Sequence, residues 1–408
     1  MENLDLQKLQ SAVRVAAAFR CRRRLQPAGG PGEKIFPPTF AGAVYAIEKR
    51  YTPDRSEPVD CVLLDSVQSQ ANRMELALQE AWEAGRIKLP LVVVDFSDFD
   101  PTGDVEADQA AERLIEKVGK ITTLQLPHRL ADAVLRDSEL NGTRFRRSDR
   151  GKALNMASVA NATPLFGLCP TALLFGMWDS TGPKGGLGAK FERAIVSEVV
   201  GIGVQYEGSY RNRGVRRDPL EISKNVPVLR DELGGLLRVA NPGEKNTVRP
   251  SEINHSSVPF ESANAGVTIE YAEQTTTLSL ICLRRLHFPL NGKTAHEVDE
   301  AARTVLAALG LAAATLAFEN GMGLRSRCLL WPEKPMVWEL LGRPGEEPEQ
   351  FSLSRDAAVE LFNAAAEAAQ QQGLPWPADP LVLKPSLELV KLVRLSQLEN
   401  AKKAGEGN

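Results

Sequence analysis

Histidine is scarce, four residues in 408, and none of His128, His255, His287 and His296 stands in a metal-binding spacing such as HExxH. The five cysteines, Cys21, Cys61, Cys169, Cys282 and Cys328, lie far apart with no CxxC pair, so neither a zinc site nor a disulfide framework is expected. Neither sign of charge is in excess: 49 Lys and Arg against 52 Asp and Glu leave a net charge of −3. Taken alone, that balance argues against a nucleic-acid binder. The N-terminus MENLDLQKLQ has no basic start followed by an apolar run, and no uninterrupted apolar stretch has spanning length. These absences predict a soluble protein of the reducing cytoplasm that works without membrane, metal or cofactor. What is present is a globular composition, 43% hydrophobic and 25% charged, in a chain long enough for two domains or for one with large insertions.

Along the chain, Val13 to Phe19 (VRVAAAF) reads as a first strand, followed by a basic turn at Arg20, Arg22, Arg23 and Arg24. Cys61 to Leu64 closes a short buried strand, and Asp65 and Ser66 offer capping oxygens to the segment after it. Ala71, Met74, Leu78, Ala81 and Trp82 recur at three- and four-residue intervals, which predicts a helix ended by Gly85. Gln70, Asn72 and Arg73 in its first turns fit either a phosphate-binding helix start or a capped core helix. Leu89 to Phe96 predicts a strand, and the six acids from Asp95 to Asp108 predict a solvated loop, since their spacing matches no EF-hand. Thr171 to Met177 (TALLFGM) suits a buried strand. Residues 220–267 are polar and rich in proline, asparagine and serine, as an extended loop or inserted flap would be. Thr275 to Leu286 predicts a strand, and Val298, Ala302, Val305 and Leu309 predict a helix capped by Gly310. Pro335 to Leu341 predicts a strand, and Ala358, Leu361, Phe362, Ala365 and Ala369 a helix between Ser354 and Gly373. Leu381 to Leu395, broken by Pro385, reads as an irregular or edge strand before a frayed tail.

The most chemical-looking stretch is Trp178 to Arg193, WDSTGPKGGLGAKFER. Gly182, Gly185, Gly186 and Gly188 permit positive φ and close approach of backbone to a ligand, while Lys184, Lys190 and Arg193 surround that backbone with cations. A surface turn and an oxyanion cradle both fit this composition. Its setting favours the cradle: residues 141–217 hold twelve lysines and arginines against five acids. RFRRSDRGK, with Arg144, Arg146 and Arg147, and SYRNRGVRRD, with Arg211, Arg213, Arg216 and Arg217, interleave arginine with Phe145 and Tyr210. That mixture grips phosphates and stacks on bases. A second glycine and arginine loop, NGMGLRSRC, brings Arg325 and Arg327.

Nucleotide motifs fail on detail. The P-loop needs lysine and a hydroxyl directly after its last glycine, but Gly188 is followed by Ala189, Lys190 and Phe191. GxGxxG fails because Phe191 stands where the third glycine belongs. Cys169 has apolar neighbours and reads as a buried thiol. His255 is a conceivable general acid or base, and Asp65 and Asp179 either cap their own loops or act chemically.

Four segments together carry a resemblance: LLDSVQSQANRMELAL (Leu63 to Leu78), ALLFGMWDSTGPKGGLGAKFERAIVSE (Ala172 to Glu198), RRDPLEI (Arg216 to Ile222) and GLRSRCLL (Gly323 to Leu330). In consistent order over most of the chain, they resemble the RAMP-type backbone subunit of the CRISPR type I-G (formerly I-U) Cascade complex. The resemblance implies an α+β fold with an RRM-like (ferredoxin-like) palm and large thumb and finger insertions. One domain would span residues 1–408, with inserted segments 97–170 and 220–267 and a flexible tail at 400–408. It also implies a non-catalytic subunit that polymerises head to tail along CRISPR RNA and presents it for target DNA pairing in antiviral defence. Its partners would be further copies of itself, a large subunit and a guide-processing subunit. RNA-backbone contact would then fall to Lys184, Gly185, Gly186, Lys190 and Arg193. Gln70, Asn72, Arg73, Arg144, Arg146, Arg147, Arg211, Arg213, Arg216, Arg217, Arg325 and Arg327 would support it. Two rival readings stand beside this one, because fold alone decides neither. The first is an endoribonuclease that processes precursor guide RNA, which needs a histidine or tyrosine near the glycine loop where the sequence places no adjacent histidine. The second is RNA cleavage by Asp65 or Asp179.

Overall fold

After the short strand Glu2–Asn3 comes a helix, α1 (Leu6–Val15), capped by Asp5, whose side chain accepts from the Lys8 amide at 2.7 Å. It leads into β1 (Ala18–Pro27). The expected strand from Val13 and the basic turn after it are thereby corrected, because Arg20, Arg22, Arg23 and Arg24 lie inside β1. The physical reason is strand alternation: Phe19, Cys21 and Leu25 are buried on one face, so Arg20, Arg22 and Arg24 project from the other. The computed structural model describes residues 2–406 except 42–43, 53–54, 111, 183–187, 206–212, 217–219, 221, 224, 231–236, 254–257, 262–265 and 320.

The remaining principal elements are β2 (Val59–Asp65), α2 (Val67–Glu83), β3 (Ile195–Ile202), β4 (Tyr271–Ser279), α3 (His296–Glu319), β5 (Trp338–Leu341) and α4 (Arg355–Gln371). In the main sheet the order runs from the edge strand Ile47–Arg50 through β2, β3, β4, β1 and β5 to Glu349–Ser352 and Glu2–Asn3. All neighbours are antiparallel except the last pair. Within it, β1, α2, β3, β4, α3 and β5 follow a strand-helix-strand-strand-helix-strand order. Their strands lie side by side in the order β5, β1, β4, β3, with β2, which precedes α2 in the chain, next to β3. The expected mixed α+β class is met, with one face of a curled antiparallel sheet covered by helices. A register shift at Val199/Val200 in the β3–β2 pairing adds to the curl.

Ser66 caps α2 and Ser354 caps α4, each hydroxyl accepting from an amide three residues on. The α3 helix is long and apolar enough to cross a membrane by length and composition, but its apolar window is 94% buried inside the fold. It packs against α1, α2 and α4. Gly310 was expected to cap this helix, yet α3 continues through it to Glu319. A Cβ there would stand 3.1 Å from both Leu174 and Leu278 side chains, so the glycine makes room for close packing. The apolar run from Thr171 is another correction: Thr171–Phe175 is a helical turn after Pro170, and only Met177–Trp178 is strand. A short, fully buried apolar run has no visible period, so length and a preceding proline decide it.

A second, five-stranded sheet lies against α2, joining Thr143–Arg144, Ser138–Leu140, Leu381–Pro385, Val92–Asp95 and Lys120–Thr122. The Thr122 hydroxyl donates to Gln79 of α2 at 2.9 Å, tying the layers together. Much of residues 97–170 is therefore built around this sheet, with the chain's penultimate segment at its centre. After Pro385 the expected irregular strand becomes a helix, Leu387–Glu406, which also takes in most of the tail expected to fray. Within 220–267, Val228–Arg230 pairs with Leu237–Val239, and Val258–Glu261 pairs with Arg213–Arg216.

Candidate nucleic-acid interface

The glycine-rich stretch is flanked by two short paired strands. Met177–Trp178 pairs antiparallel with Lys190–Phe191, and the Asp179 amide donates to Ala189 at 2.9 Å. Lys184, Gly185 and Gly186 lie outside the described residues. Directly across the strand pair from Trp178 sits Lys190, its ammonium 5.5 Å from the indole ring centre. Trp178 is 54% exposed, an unusual state for a large aromatic unless its face is used.

At the base of this strand pair is a groove of about 500 Å3, lined by His128, Arg129, Trp178, Lys190 and Arg193 among others. Arg129 is 8% exposed and grips Glu75 of α2 through two bonds, 2.7 and 2.8 Å, while also donating to the Gly176 carbonyl at 3.1 Å. Its φ of 50° is left-handed and strained for a non-glycine residue, so the ion pair holds a costly backbone in place. Gly176, at φ 83°, meets the same constraint from the other side. A Cβ there would lie 2.9 Å from Cγ of Arg193, so only glycine lets the Arg193 stem cross. Burial, then the neighbouring Arg129, lowers the Arg193 pKa. With Glu75 committed to Arg129, the groove keeps a surplus of positive charge at Lys190 and Arg193, which suits an anion.

The strand pair is braced from behind by Arg146, which donates to Asp179 at 2.6 Å and to Asn155 at 3.0 Å. Arg146 and Asp179 side chains are 10% and 5% exposed, so this arginine supports the strand pair and is not open to ligand as expected. Arg147 is exposed, and exposed Arg144 faces Glu139 at 3.7 Å on the second sheet.

A third group gathers on Asp65, the last residue of β2, which is 1% exposed. It accepts from Ser69 (2.8 Å), Gln70 (2.6 Å) and Arg73 (2.9 Å), and Arg325 approaches at 3.5 Å. Arg73 also donates to the Leu324 carbonyl at 2.7 Å and Arg325 to the Leu64 carbonyl at 2.6 Å. Gln70 continues inward, accepting from Ser197 and Gln274 at 3.0 and 2.9 Å. Gln70, Arg73 and Arg325 thus form a polar network around Asp65, Gln70 buried and the two arginines partly exposed, because a buried carboxylate must be neutralised. Asn72 remains exposed on the same helix. Arg327, exposed and at φ 57°, stacks its guanidinium 4.1 Å from the Phe36 ring centre. Arg213 and Arg216 lie on the short ladder with Val258–Glu261, and Arg211 and Arg217 fall outside the described residues.

Of the expected contacts, the structure therefore brings Lys190 and Arg193 together at one groove, buries Gln70 and most of Arg146, and holds the part-exposed Arg73 and Arg325 on Asp65 and on backbone carbonyls. The sequence reading missed His128, Arg129 and Trp178 as companions of the first two. Trp178 carried a usable signal, an aromatic opening a glycine and lysine loop, whereas His128 and Arg129 reach the groove only through the pairing with Glu75. No curated protein matches the chain. Residues 19–206, which include this groove and the Asp65 network up to Arg73, match the family model described as CRISPR-associated protein GSU0053.

Proposed function

We propose that the protein is a non-catalytic backbone subunit of a CRISPR effector complex, holding guide RNA through its ribose-phosphate chain. The carrying observation is the Lys190–Trp178 pair beside Arg193, whose neighbouring carboxylate, Glu75, is already bonded to Arg129. An ammonium and a guanidinium attract phosphate whatever the sequence, and an exposed indole stacks on any base, which suits a guide whose spacer varies. Copies of the chain would lie head to tail on one RNA through interfaces that do not close, and target DNA would be recognised by base pairing to the guide. A large subunit and a guide-processing subunit complete the cytoplasmic assembly. Asp65 and Asp179, the acids of the rival RNA-cleavage reading, are each buried against arginine, which supports a structural use for both.

Expression with a CRISPR RNA, followed by measurement of the ultraviolet absorbance ratio and the size of extracted RNA, tests this reading. Bound RNA of guide length is expected. An RNA-free monomer from cells making the guide would overturn it. One observation favours a second reading, endoribonuclease action on precursor guide RNA: His128 lines the groove beside Lys190 although it is remote in sequence. Discrete products from precursor RNA, lost in His128→Ala, would establish that reading in its place.

A further inference from the structure

Glu75 faces the groove at Trp178 from the core. It stands on α2, is 3% exposed, and lies behind Arg129, outside the groove's lining. Arg73, two residues earlier on the same helix, turns the other way, to Asp65. One turn later Gln79 accepts from Thr122 of the second sheet. Glu75 and Gln79 therefore share the face of α2 that meets the layer from which the groove is built.

Through Arg129 this carboxylate acts on both parts of the groove that suit a ligand. Its two oxygens are taken by Nε and Nη2 of Arg129, a bidentate grip that fixes the plane of the guanidinium. The remaining Nη1 donates to the Gly176 carbonyl, one residue ahead of the strand that ends in Trp178. The Arg193 stem crosses the same Gly176. Arg129 is also a like charge beside Arg193, and Glu75 offsets it. The groove is lined by three lysine and arginine side chains, Arg129, Lys190 and Arg193, of which Glu75 neutralises the first. Removing its charge would alter two things at once: what holds Gly176, and how many uncompensated cations wall the groove.

We propose that Glu75 is the positioning residue of the groove and the acid that sets its charge, leaving Lys190 and Arg193 as the cations that meet phosphate beside the Trp178 ring. The proposal rests on the RNA-binding reading and goes beyond it, giving a core residue that no ligand touches control over how the groove binds. The two roles need different parts of the carboxylate. Glutamine keeps a carbonyl oxygen for Arg129 and loses the charge, whereas alanine keeps neither. Lysine at position 129 keeps the cation but has no planar fork to hold both Glu75 oxygens and the Gly176 carbonyl at once.

The test is binding of labelled single-stranded RNA to the full chain over a salt series, with the change in tryptophan fluorescence that RNA causes and Trp178→Phe to identify the Trp178 share of it. In Glu75→Gln the slope of log affinity against log salt is expected to steepen by about 0.7, one further phosphate contact, because Arg129 becomes an uncompensated cation at the wall. Glu75→Ala is expected to lose roughly tenfold or more in affinity together with the Trp178 signal, since Gly176 and the strand after it lose their anchor. Arg129→Lys should weaken binding and the Trp178 signal with an unchanged slope, and it reads the positioning role even where Glu75→Ala fails to fold. Gln79→Ala, on the same face of α2, is the control for general destabilisation: it should lower the urea midpoint and leave affinity, slope and signal as in the wild type. Wild-type affinity and slope in Glu75→Gln and Arg129→Lys, or a Gln79→Ala that loses RNA as Glu75→Ala does, overturns the proposal alone. A wild-type protein that binds no RNA overturns the RNA-binding reading, and the proposal with it.

Discussion

The carboxylate of Asp65 lies 2.9 Å from Nε of Arg73, and the same Arg73 donates to the Leu324 carbonyl at 2.7 Å. One ion pair thus joins the end of β2, the second turn of α2 and the loop-bearing hairpin after α3. Asp65 is 1% exposed, so its charge is held by protein donors, chiefly Ser69, Gln70 and Arg73. Removing one partner of such a pair strands the other.

Arg73→Ala is therefore expected to destabilise the fold by about 3 kcal/mol or more, toward the cost of leaving a buried charge uncompensated. The midpoint of urea unfolding measures it. RNA affinity of the molecules that remain folded should be unchanged, because Arg73 faces Asp65 and not the groove. A lost affinity with an unchanged midpoint would make Arg73 an RNA contact after all.

The helices around this network were legible because their apolar residues recur with a helical period and Ser66 and Ser354 announce their starts. β1 was not, because alternating arginines look like a solvated turn until Phe19, Cys21 and Leu25 are seen sharing the opposite face. Lys190 and Arg193 were legible as site residues from their glycine-rich setting. The inward roles of Gln70, Arg146 and Arg325 were not, since each depends on a carboxylate brought close by folding: Asp65 for two of them and Asp179 for the third. Arginine in a sequence states a charge, and only the fold states which acid neutralises it.

Lys190→Glu and Trp178→Ala should separate the two halves of RNA binding. Losing one phosphate contact lowers the slope of log affinity against log salt by about 0.7 for a single strand. Losing a stacking platform weakens binding by about 1–3 kcal/mol with little change in that slope. Fluorescence anisotropy with labelled single-stranded RNA over a salt series distinguishes these outcomes. Both side chains are exposed, so unfolding midpoints should hold.

Gly176→Ala is expected to damage the groove from below. The residue sits at φ 83°, and the new Cβ would meet Cγ of Arg193 at 2.9 Å and the Phe191 carbonyl at 3.2 Å. Backbone strain of this kind costs about 1–3 kcal/mol. The expected result is a lower unfolding midpoint together with weaker RNA binding, because the displaced arginine is, with Lys190, a groove cation to which no carboxylate is bonded among the described residues. A variant equal to wild type in both would remove Gly176 from any role in placing Arg193.

Cysteine chemistry gives a test of the core that is independent of RNA. Burial raises the Cys21 thiol from its ordinary 9.0 to about 12, and burial raises Cys61, Cys169 and Cys328 as well. Cys282 is the one cysteine that is not fully buried, and burial followed by Glu192 raises it too. The thiolate is the reactive form, so the native protein at pH 8 should react slowly with a thiol reagent, Cys282 first and the other four only on unfolding. The same shift has a sign for stability. A native thiol that holds its proton more tightly than the unfolded one contributes fully below pH about 9, and the contribution is lost as pH rises toward about 12. Urea midpoints should therefore fall as pH is raised from 8 to 10, and Cys21→Ala should flatten that decline while lowering the midpoint at pH 8 through the small cavity it leaves. A decline of the same steepness in Cys21→Ala would show that another group sets the alkaline limit.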